Sequence, residues 1–174
     1  MRWFWIDRFE TFHSGSEATA VKNVALDEEA LDRYCPGYPY LPSTLIIEGL
    51  AQLGGILVSE HLDFRKRVVL AKVAKAEFYL PATPGDQLRY HARLETVQED
   101  GAMVSCTSHL SEGPLSGGRP QADVQLMFAF LDDERFGEHT LFPPDELQTM
   151  LQLMNFFEVA VDASGQPLPV TVER

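Results

Sequence analysis

Apolar residues along the chain recur with two periods. Residues 87–96 alternate strictly: Leu88, Tyr90, Ala92 and Leu94 fall on one side, Gln87, Arg89, His91 and Arg93 on the other. A period of two predicts a strand with one face in a core. Val104, Cys106, Ser108 and Leu110 continue the pattern after an Asp100-Gly101 hairpin signal, and Ala122, Val124, Leu126, Phe128 and Phe130 form another such row. Residues 6–12 and 17–26 read as strands joined by a turn at 13–16, and 72–80 as a further strand before the Pro84-Gly85-Asp86 turn. Residues 113–120 have loop composition, with three Gly and two Pro.

Residues 43–60, STLIIEGLAQLGGILVSE, follow the other period. Pro42 and Ser43 suit a helix start. The segment from Thr44 to Val58 is apolar almost all the way round, which predicts a helix buried on nearly every side. Gly49, Gly54 and Gly55 weaken it by about 1 kcal/mol each but admit a close neighbour. A strongly curved antiparallel sheet can wrap such a helix. One sheet leaves part of it uncovered and its own edges exposed, and a second copy would remedy both. Residues 145–157 predict one amphipathic helix after the Phe142-Pro143-Pro144 break, and residues from Asp162 onward have turn composition. The expected organisation is an α+β domain over residues 1–131 and an acidic C-terminal extension over 132–174.

Charge narrows the functions. The 174 residues carry 14 Lys and Arg against 26 Asp and Glu, a net charge of −12, which argues against a cationic nucleic-acid binder. Residues 131–174 hold nine acidic and two basic residues. Residues 65–75 hold five basic ones and no acid (Arg65, Lys66, Arg67, Lys72 and Lys75), which reads as a solvated turn or as a docking patch for an anionic partner. Cys35 and Cys106 make neither a disulfide framework nor a zinc site, and no two His share metal-ligand spacing on one element. No run of about 18 apolar residues occurs, and MRWFWIDRF is charged too early for a signal peptide, so a cytoplasmic protein without membrane insertion is expected.

Between Thr44 and Val58 only Glu48 and Gln52 carry long polar side chains, four residues apart and so on one helix face. A carboxyl in such a place is expected to hold its proton more tightly and could serve as a general acid. It could equally be a buried Glu satisfied by backbone or by a partner chain.

The residues leading into this helix, RYCPGYPYLPSTLIIEGLAQ, resemble the signature of the 3-hydroxyacyl-acyl carrier protein dehydratases of the hotdog fold, roughly G-H-F-P-G-x-P-x-x-P-G-x-x-x-x-E-x-x-A-Q. Pro36, Gly37, Pro39, Pro42, Leu45, Glu48, Ala51 and Gln52 fall on it without a gap. The resemblance extends through Ile6-Asp7-Arg8, through residues 20–24, and through Ala76-Glu77-Phe78 and residues 84–88, covering about residues 4–131. It implies a curved antiparallel sheet around the long helix, working as a homodimer, with assembly into a trimer of dimers left open. It implies an acyl-ACP or acyl-CoA thioester as partner and no cofactor or metal.

In that family a His removes a proton from C2 of a 3-hydroxyacyl thioester. A Glu from the other protomer protonates the departing hydroxyl, and backbone N–H groups polarise the thioester carbonyl. Carried over by position, Glu48 is the acid, and Pro36, Gly37, Ser43 and Gln52 are substrate-binding. The chain departs from the pattern at the base: Tyr34 stands at the His position, Arg33 and Cys35 replace its neighbours, and Ser43 replaces the Gly before the helix. An ordinary phenol, with a pKa near 10, is ionised in about one molecule in a thousand at pH 7. Tyr34 is therefore either a base with a strongly depressed pKa, a hydrogen-bond donor or an aromatic wall. Three functions stay open: a dehydratase-like lyase, a catalytically silent module that binds an acyl chain or carrier protein, and a thioesterase using Glu48 to activate water. Arg65, Lys66 and Arg67 are the candidate carrier-protein contacts.

Overall fold

The computed structural model describes residues 4–28, 31, 37–111, 118–131 and 144–169. The elements are β1 (Arg8–His13), β2 (Glu17–Asn23), α1 (Ser43–His61), β3 (Arg67–Phe78), β4 (Gln87–Val97), β5 (Gly101–Leu110), β6 (Arg119–Leu131), α2 (Pro144–Leu153), α3 (Phe156–Val159) and β7 (Ala160–Val161). The seven strands form one sheet in the order β3-β6-β5-β4-β2-β1-β7. Every pairing is antiparallel except β1 with β7.

The inner face of the sheet is the one the alternation predicts. Tyr90, Ala92, Val104, Cys106, Ala122, Val124 and Leu126 are all buried. Tyr90 lies opposite Ala20 on β2, and Ala20 opposite Phe9 on β1, so the three share that face. On β1 the period of two breaks. An irregularity between Phe9 and Thr11 lets Phe9 and Phe12, three apart, both turn inward.

Helix α1 lies across this face. Pro42 is its N-cap, and the helix ends in two successive left-handed residues, Asp63 (φ 52°) and Phe64 (φ 56°), with Phe64 donating its N–H to the Ser59 carbonyl at 2.7 Å. Ile46, Leu50, Leu53, Leu57 and Val58 are almost fully enclosed. Burial on nearly every side does not hold, however: Thr44 is exposed, and Glu48, Gln52, Gly55 and Ser59 are only half-buried. Those five recur every three or four residues and so lie along one side of the helix, which is not fully buried.

Gly49 is required by what it touches. A Cβ there would stand 2.6 Å from Cε2 of Tyr90 and 2.7 Å from the carbonyl oxygen of Trp5. Residues 4–7 can thus cross the helix at backbone distance.

Two expectations about local structure are corrected. The basic run is not a turn: from Arg67 onward it belongs to β3, the edge strand. The helix expected over 145–157 is broken at Asn155, whose left-handed backbone (φ 61°) separates α2 from α3. The break turns Phe156 onto β1, where its ring meets those of Phe12 at 4.6 Å and Phe9 at 5.3 Å, edge-on. Met150, Leu151, Met154, Phe156 and Ala160 join the same buried core as α1. Beyond β7 the chain turns at Asp162, whose Oδ1 accepts from the backbone N–H groups of Ser164 (2.8 Å) and Gln166 (2.9 Å). Residues 132–143 of the expected extension lie outside the described residues.

Candidate functional site

Glu48 sits in the second turn of α1, on the half-covered stripe. Its Oε1 accepts from Nε2 of Gln52 at 3.0 Å. The Oε1 of Gln52 in turn accepts the backbone N–H of Trp5 at 2.9 Å. The Trp5 contact fixes the amide's orientation: a backbone N–H can only donate, so the Gln52 oxygen turns to Trp5 and its NH2 to Glu48. Gln52 therefore bridges the residues before β1 to the carboxyl of Glu48. Sequence reasoning placed Gln52 beside Glu48 by helical spacing. It missed Trp5, which is 47 residues away and carries no local signal for the contact.

Gly37 has a left-handed backbone (φ 82°) and is exposed. Ser43 opens α1, and its neighbour Pro42, the N-cap, brings no side-chain acceptor to the first-turn N–H groups. Tyr34 and Pro36 lie outside the described residues, as does Cys35. Arg65 is exposed and stands 3.9 Å from Asp63, a surface pair worth little. Lys66 donates to the Glu99 carbonyl at 3.3 Å and sits 5.2 Å from the centre of the Phe130 ring. Arg67 opens β3.

Tyr90 and Ala92 point inward, so His91 points to the outer face, where it pairs with Glu17 at 3.2 Å. Cys106 is fully buried, and burial pushes its thiol up to about 12, which leaves no thiolate at neutral pH. Among the described residues no group of three or more His, Cys, Asp or Glu could hold a metal ion. No helix among them is long and apolar enough to cross a membrane.

Two buried polar groups had no sequence signal. The Tyr90 hydroxyl has no hydrogen-bond partner among the described residues. Burial raises its phenol above the ordinary value, and the charges of Asp7 and Glu28 add to this. Glu60, near the end of α1, is also held above the usual carboxylate range, chiefly by burial, against a hydrogen bond from Ser14.

A curved antiparallel sheet laid around one long helix is the hotdog fold, and known proteins place the chain within it. Residues 3–112 match the FabA-like domain, more than half of the chain, and the chain belongs to that family. It is 36% identical over 105 residues to a 3-hydroxyacyl-[acyl-carrier-protein] dehydratase FabZ of Sulfurovum sp. (strain NBC37-1), covering 56% of this chain and 69% of that protein. It is 30% identical over 131 residues to the FabZ of Levilactobacillus brevis, covering 75% and 86%. Among solved structures it resembles the dehydratase heterocomplex ApeI:P of Xenorhabdus doucetiae (TM-score 0.61, 15% identity, 77% of this chain and 87% of that one). It also resembles smu.793 of Streptococcus mutans bound to acetyl CoA (TM-score 0.59, 16% identity, 75% and 93%).

Proposed function

We propose that the protein acts on a 3-hydroxyacyl thioester, carried on acyl carrier protein as in the names of its FabZ relatives, or on coenzyme A. In the dehydration direction the C2–H bond breaks, the C3–O bond breaks, and a C2=C3 double bond forms as water leaves. Glu48 supplies the proton to the departing hydroxyl. Tyr34 stands where the base belongs, and the N–H groups around Gly37 and at the start of α1 near Ser43 receive the thioester oxygen. Pro36 is a further substrate-binding position by resemblance, and Gln52 holds Glu48.

The observation that carries this proposal is the placement of Glu48. Its carboxyl lies on a partly exposed stripe of an otherwise largely buried helix, and a neighbouring amide holds it there. The stripe also supports a dimer. Leu70 and Val73 of the edge strand β3 lie opposite Phe128 and Leu126, so they face the side that α1 occupies, and both are more than a third exposed. A second copy covering β3 and the α1 stripe would bury them and enclose Glu48 in a shared pocket. Arg65, Lys66 and Arg67, at the start of the same edge, would meet an acidic carrier protein or the phosphates of its thioester arm.

A second reading rests on one specific observation, the phenol of Tyr34 in place of an imidazole. Without a base the same pocket would bind an acyl chain and release no product. Turnover of a 3-hydroxyacyl thioester by the wild type, by Glu48→Gln and by Tyr34→His separates the two. The lyase loses activity with Glu48→Gln and gains it with Tyr34→His. A silent binder is stabilised by the ligand and stays inactive in all three forms.

A further inference from the structure

Lys22 lies on the inner face of β2, opposite Leu88, and is only 7% exposed. All three of its ammonium donors have acceptors: Oε1 of Glu28 at 2.5 Å, the Asn23 carbonyl at 2.8 Å and Oδ1 of Asp7 at 3.5 Å. The same ammonium stands 5.7 Å from the centre of the Trp5 ring. One cation therefore gathers two stretches of chain that meet nowhere else by an ion pair among the described residues: residues 4–7 ahead of β1, and the stretch after β2 that holds Glu28.

Asp7 is tied down on its other oxygen as well. Its Oδ2 accepts from the backbone N–H of Asn23 at 2.6 Å and from Nδ2 of Asn23 at 2.8 Å, while its own N–H donates to the Val21 carbonyl at 2.8 Å. Two residues before Asp7, the backbone N–H of Trp5 holds Gln52, and Gln52 holds Glu48. Burying a lysine is expensive, and an apolar side chain on the inner face of β2 would serve the fold at least as well. The outer face uses charge in the ordinary way, as in the exposed Arg8–Glu10 pair at 3.2 Å. What Lys22 provides beyond packing is a fixed point for the residues that set the Gln52 amide.

We infer that Lys22 is a positioning residue. Through Asp7 and the ring of Trp5 it holds residues 4–7 against α1, and so aims the Gln52–Glu48 pair. This rests on the role proposed above for Glu48.

Lys22→Met alone is a poor probe, because it leaves Glu28 buried without a countercharge. The double variant Lys22→Met/Glu28→Leu removes both charges and leaves Asp7 on Asn23. In the folded double variant the Trp5 amide exchanges its hydrogen about tenfold faster or more, while amides in the middle of α1 keep their protection. The same variant loses about tenfold to a hundredfold in kcat on a 3-hydroxyacyl thioester, with KM moving far less. An unchanged exchange rate at Trp5, or a loosened Trp5 with undiminished kcat, overturns the inference. A wild type without turnover overturns the functional proposal alone, and the exchange rate at Trp5 then decides whether Lys22 holds the segment.

Discussion

The carbonyl oxygen of Trp5 and the α-carbon hydrogen of Gly49 occupy one crossing point, where a methyl group on Gly49 would stand 2.7 Å from that oxygen. The Tyr90 ring closes the other side at 2.6 Å. Neither neighbour is the free end of a flexible chain. Gly49→Ala should therefore cost stability, by about 1–3 kcal/mol for overpacking, even though alanine is the better helix former. Chemical denaturation measures it. An Ala variant as stable as the wild type would mean that the crossing segment moves aside freely.

Leu70 and Val73 give the second prediction. If a second copy covers them, Leu70→Asp/Val73→Asp places two charges in that contact and the protein becomes monomeric, with loss of turnover. Sedimentation of the folded variant checks this. A variant that stays dimeric places the contact elsewhere.

The basic start of β3 carries the third. Arg65→Glu/Arg67→Glu should weaken carrier-protein binding by about tenfold, more at low salt than at high, because the attraction is electrostatic. Equal affinity at both salt concentrations removes these residues from the docking surface.

Glu60 makes stability depend on pH. Its carboxyl is held above the ordinary value of 4.5, so the folded state keeps a proton where the unfolded chain has lost it. The sign follows: stability falls as pH rises from 4.5 through the folded-state pKa, and the full penalty stands above that. Glu60→Gln keeps an acceptor for Ser14 and removes the penalty. It should raise Tm at pH 7 and make little difference well below pH 4.5. Equal gains at both, or none at pH 7, contradict the burial effect.

The parts of the fold visible in the sequence are those where one period governs. The bounds expected for the central helix, 43–60, differ from Ser43–His61 by one residue. The inward rows of β4, β5 and β6 follow the alternation from Leu88 to Ala92, from Ala102 to Leu110 and from Ala122 to Phe128, while Leu94 and Phe130 at the row ends are only partly buried. Reading failed where a second constraint overrode the period. On β1 an irregular pairing puts Phe9 and Phe12 on one face. On β3 the edge position leaves most residues exposed, so no buried row marks where the strand begins. In the C-terminal residues one left-handed Asn155 breaks a pattern that a helical period runs straight through. The site shows the same division. Glu48 and Gln52 are neighbours by helical spacing, whereas Trp5 and Lys22 reach them only through tertiary contacts.

The most direct test of the central claim is turnover of a 3-hydroxyacyl thioester by the wild type and by Glu48→Gln, followed through the absorbance of the enoyl product. The two proteins should fold and melt alike, the wild type should form the enoyl thioester, and Glu48→Gln should lose at least about a hundredfold in kcat. A Glu48→Gln protein that dehydrates as fast as the wild type would contradict the assignment of Glu48 as the acid.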